Sequence, residues 1–146
     1  MKNSRSRSKT LNIILWIAQF LLGAFFFMSG FSKLTQPIAK LAEQAPVLAQ
    51  VSQALIKFIG TCEILGAIGI VLPALLRVKP NLTPLAAAGF TLLMVIATSF
   101  NLIKGAFSGV PITMVLGLIA FFVAWGRFKK RPIYEKRAPA YSVTVD

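Results

Sequence analysis

Few side chains in this 146-residue sequence are equipped for chemistry, and those few stand in telling places. Lys33 and Glu63 are opposite charges, one at the edge of a long apolar stretch and one inside another. Thr98, Asn101 and Thr113 are hydrogen-bonding groups in or beside two further stretches of that kind. A charge near the centre of a membrane span costs roughly 2.5–3.5 kcal/mol on insertion scales. Glu63 must therefore face the protein interior and meet a partner there, or carry a proton. Lys33 is the partner expected from depth and face, with Thr98 and Asn101 adding hydrogen bonds. Two roles fit the five residues. One is a small outward-facing polar pocket for a ligand, a lipid headgroup or a proton. The other is an ion pair that only fixes helix register, as many buried pairs do.

Other chemistries are excluded by composition. The chain has no histidine, so no imidazole can hold haem, copper or iron. Cys62 is its one cysteine, so no intramolecular disulfide or C-x-x-C redox pair exists. Cys62 reads as a small packing residue. The four acidic residues, Glu43, Glu63, Glu135 and Asp146, are too scattered for a carboxylate metal site. No catalytic residue, metal ligand or evident cofactor emerges, and the chain is not expected to be an enzyme on its own.

Membrane helices have to position the five residues. Apolar residues make up 56% of the chain, against roughly 45–50% in soluble domains. They gather in blocks long enough to cross a hydrocarbon core of roughly 30 Å. The pattern predicts an all-α membrane protein, one antiparallel four-helix bundle with spans over 11–31, 58–76, 82–103 and 110–128. A basic segment, 1–10, precedes the bundle, and a basic tail expected to be disordered, 129–146, follows it. The first block is longer than a signal-peptide core and lacks a small-residue cleavage site, so it reads as a retained helix. Between the first two spans, Leu48, Val51, Leu55 and Phe58 recur at helical spacing, which suggests a short amphipathic helix at the interface or a simple connector.

Each span also carries a seam of small or polar residues at steps of three and four. The seams are Gln19, Gly23, Phe26, Gly30 and Lys33; Gly60, Glu63, Ala67 and Ile70; Ala87, Thr91, Met94, Thr98 and Asn101; Thr113, Gly117, Ala120, Ala124 and Arg127. Such seams let helices approach closely in lipid. The net charge of +12 is placed for a membrane rather than for nucleic acid. Twelve basic residues fall at the two ends of the chain and in the turn around Arg77, and four fall on the opposite side. That asymmetry predicts both termini in the cytoplasm, N-in and C-in.

At these residues the sequence resembles the DoxX family, in particular its DoxX-like branch of small four-helix membrane proteins. The resemblance rests on Gly30-Phe31-Ser32-Lys33-Leu34, on Ile59-Gly60-Thr61-Cys62-Glu63-Ile64-Leu65-Gly66-Ala67 and on Leu72-Pro73. It continues in Leu82-Thr83-Pro84-Leu85-Ala86-Ala87 and Phe122-Val123-Ala124-Trp125-Gly126-Arg127. It implies a four-helix bundle with Lys33 and Glu63 as recurrent charges. Many relatives carry His-Leu where this chain has Asn101-Leu102, which counts against a proton relay or metal there. The resemblance also implies a bacterial cytoplasmic (inner) membrane protein. The expected role is a non-catalytic subunit or accessory factor of a membrane oxidoreductase or oxidative-stress system, with the bilayer, such subunits or further copies of itself as partners. The alternative is a protein that binds quinone or another small lipophile through Lys33, Glu63 and Asn101. A small transporter is a third reading, disfavoured by the lack of inverted repeats and broken helices.

Overall fold

A computed structural model describes residues 2–130 and 132–134, with side chains from residue 9 onward. Four long helices dominate it: α1 (Lys2–Thr35), α3 (Gln53–Leu76), α4 (Leu82–Ile103) and α5 (Val110–Trp125). A short α2 (Ile38–Gln44) and a 3-10 turn (Pro46–Gln50) link α1 to α3. All four long helices, α5 taken with its flanking turns, are long and apolar enough to cross a membrane. The protein is an integral membrane protein.

Local sequence explains where the helices start and stop. Nothing in α1 breaks the helix until Gln36-Pro37, where the residue before proline is pushed out of helical geometry. The α1 helix therefore continues through the basic segment to Lys2. Ser52 caps α3 by accepting the Leu55 amide at 3.4 Å. Helix α3 consequently starts at Gln53, more than a turn before the apolar stretch expected to span from Phe58. Leu55 and Phe58 lie on that helix with exposed side chains, while Leu48 belongs to the 3-10 turn. The expected amphipathic stripe does not form, and Leu41 and Val47 are the buried anchors of the connector. Arg77 and Lys79, both at positive φ, turn the chain tightly into α4. After α5 the helix loosens into a π-helical turn, Gly126–Lys130. Of the tail expected over 129–146, Lys129 and Lys130 are thus helical, and Arg131 and residues 135–146 lie outside the described residues.

The helices pack as an antiparallel ring in the order α1, α3, α4, α5, closed by contacts between α5 and α1. One end of the bundle holds α2; the other holds the start of α1, the Arg77 turn and the end of α5. The ring has a filled centre. Phe26 of α1 and Phe90 of α4 stack across it, centroids 3.8 Å apart and planes 8° from parallel. Leu22, Ala67, Ile70, Ala87 and Met94 close around them. Large apolar side chains such as Leu65, Leu92 and Leu118 project outward, the arrangement expected when lipid is the solvent.

Candidate functional site

The ion pair forms where α1 and α3 touch most closely. A Cβ at Gly30 would lie 2.6 Å from the Gly60 carbonyl oxygen, so only glycine permits this approach. One turn away, Lys33 Nζ donates to both carboxylate oxygens of Glu63, at 2.8 and 3.0 Å, and to Ser29 Oγ at 2.6 Å. The Glu63 side chain is 4% exposed and that of Lys33 14%. Lys57 and Arg77 bracket the apolar part of α3 over a rise of about 30 Å, the thickness of a hydrocarbon core. Glu63 then lies about 9 Å inside the boundary that Lys57 marks.

Thr98, Asn101 and Thr113 are gathered elsewhere. Thr98 Oγ1 donates to Thr113 Oγ1 at 2.8 Å across the α4–α5 contact. Thr113 also lies 3.1 Å from the carbonyls of Gly109 and Val110. Asn101 is buried beneath Gly109, whose missing side chain leaves it room. The Asn101 carbonyl accepts the Ala106 amide at 2.8 Å while Gly105, at φ 69°, donates to Leu102 at 3.2 Å. This pair of bonds is a Schellman closure that ends α4. The five residues therefore make two separate clusters, one on α1–α3 and one on α4–α5. The extra hydrogen bond to Lys33 comes from Ser29, one turn back on its own helix, not from Thr98 or Asn101.

A third polar cluster was not anticipated. Arg127, grouped by the sequence with the basic tail, is 3% exposed. Its Nε donates to Gln19 Oε1 at 2.5 Å, its Nη1 donates to Asn12 Oδ1 at 2.8 Å, and its guanidinium lies 5.2 Å from the centre of the Trp16 ring. Gln19 in turn donates to the Ile70 carbonyl at 2.9 Å. One fork thus ties α5 to α1, and α1 to α3, at the end opposite the ion pair. The signal was present in the seams, which start with Gln19 on the first helix and end with Arg127 on the last. Antiparallel packing brings those two ends together. Cys62 also departs from its expected packing role, since it is exposed on the outer face of α3.

Two cavities open laterally. One, of about 310 Å3, lies over α4 and α5 and is floored by Thr91, Thr98, Thr113 and Gly117. The other, of about 300 Å3, lies between α1 and the α2 connector. Its walls include Phe25, Met28, Ser29, Ser32, Lys33 and Gln44.

A sequence model of the DoxX-like family matches residues 17–123, which takes in all of these clusters except Asn12, Trp16 and Arg127. No curated protein and no solved structure matches the chain.

Proposed function

The chain belongs to the DoxX-like family, and from that premise we propose that it serves as a non-catalytic membrane subunit or accessory factor of an oxidoreductase or oxidative-stress system. One observation carries the reading. The charges placed at membrane depth are engaged with each other or with neutral side chains inside the bundle, around a filled aromatic centre. A catalytic centre needs polar groups that converge on a space where a substrate sits. Here the converging groups converge on one another. Such a bundle suits a rigid element against which other membrane subunits assemble through its apolar outer surface. The charge asymmetry supports cytoplasmic termini. Gentle extraction from native membrane, with identification of co-isolated subunits by mass spectrometry, tests the proposal. Stoichiometric recovery with a redox subunit is expected, and recovery of the chain alone under conditions that keep other membrane complexes intact counts against it.

The lipophile-binding alternative draws support from the cavity beside Lys33. The residues expected to contact a quinone do not fit it together, because Lys33 is on its wall while Glu63 and Asn101 are not. No chemical step through a quinone follows from this arrangement.

A further inference from the structure

We propose that the cavity between α1 and the α2 connector holds a bilayer lipid by its acyl-ester carbonyl oxygens. The inference narrows the lipophile-binding reading to one ligand class, and it stands or falls apart from the accessory role.

The wall is graded along α1. Phe25 and Met28 lie toward the bundle centre, and Ser29, Ser32 and Lys33 follow over the next two turns toward the α2 end. Gln44 faces them from the end of α2. Each group at the polar end can donate a hydrogen bond, and no carboxylate lines the cavity. The Ser29 oxygen accepts from Lys33, and its hydroxyl proton can still be donated. The ammonium is held by Glu63 and Ser29, so the cavity presents donors without an unbalanced charge. A ligand matched to this wall is apolar along its length and carries uncharged oxygen acceptors at one end. Ester carbonyls of a membrane lipid have that chemistry, and they occur where hydrocarbon gives way to the polar interface. A cavity of about 300 Å3 is at the small end for a bound ligand, enough for the ester region and the first methylenes. The rest of the chain would lie along the outer face of α1, where Leu21 and Met28 are exposed.

The test uses the full chain in vesicles containing a phospholipid with a photoreactive diazirine in its acyl chain, close to the ester. After irradiation, labelling should concentrate on peptides that carry Phe25, Met28 and Leu48 and exceed that on Leu65 and Leu118 of the outer surface. Excess unlabelled diacyl phospholipid should displace the label. The diether analogue with the same headgroup and chains should be about five- to tenfold weaker, the worth of one or two hydrogen bonds. Ser32→Trp, which fills the cavity, should abolish the preference. Gln44→Leu, at an exposed position that leaves the fold intact, should weaken it about threefold. Even labelling over all outward faces overturns the proposal. So does equal displacement by the diether, or displacement by a free fatty acid but not by the diacyl lipid, which would assign the site to a carboxylate.

Discussion

Lys33 Nζ lies 2.8 Å from Glu63 Oε2, and the helices that carry them meet one turn away at Gly30 and Gly60, where a Cβ on either residue would collide with the other helix. Charge pairing and close backbone approach are therefore one feature. The glycines bring the helices near enough for a lysine to reach a carboxylate inside the hydrocarbon layer. The pair in turn offsets part of the cost of having either charge there.

The first prediction separates these contributions. Gly60→Leu should push α1 from α3, break the ion pair and destabilise the detergent-solubilised protein by about 2 kcal/mol or more, as overpacking and a broken pair combine. Gly89→Ala is the control, because nothing lies within 4 Å of the added carbon. It should leave stability unchanged or raise it slightly. A thermal melt that ranks the two variants equally would show that the α1–α3 approach is not tight.

Arg127 gives the second prediction. Its fork reaches Gln19 and Asn12 together and stacks on Trp16, which a lysine ammonium cannot reproduce. Arg127→Lys should cost about 1–3 kcal/mol although the charge is kept. Arg127→Met combined with Gln19→Leu should cost less than Arg127→Met alone, since no buried amide is left unpaired. If Arg127→Lys melts with the parent protein, Arg127 acts only as a surface charge.

The spans, their antiparallel order and the seams were legible because each rests on a local signal: apolar length, turn residues and helical spacing. Lys33 and Glu63 were legible as partners because they are the two opposite charges on facing seams. What the sequence obscured has physical causes. Where α3 begins was not legible from apolar length, because the helix is started by the Ser52 cap, before the apolar stretch at Phe58. Thr98 and Asn101 were assigned to the ion pair because depth was read without knowing which helices adjoin. In the ring α4 turns toward α5, and their polar groups meet there. Arg127 was misread because a basic residue at a helix end looks like an orienting charge unless the opposite helix is known to offer Gln19 and Asn12.

A third prediction concerns orientation. A reporter active only in the cytoplasm should work when fused after Asp146 and fail when inserted between Gln36 and Gln53, in the connector that holds α2. The reverse pattern would contradict the charge argument and place the ion pair in the cytoplasmic half of the membrane.

The Lys33–Glu63 pair offers the most direct test of a bundle whose charges serve each other rather than a substrate. The measurement is a double-mutant cycle on the detergent-solubilised protein, with Lys33→Met, Glu63→Gln and both together, read as free energy of unfolding. Each single change leaves one polar group buried without its partner and should cost about 3 kcal/mol. The double change should recover part of that loss, with a coupling of about 1–3 kcal/mol. In cells the double variant should still co-isolate with whatever subunits the parent protein brings down. Additive losses with no coupling would mean the two charges do not depend on each other. Full coupling with loss of cellular function in a stable double variant would mean that the pair acts on something outside the bundle.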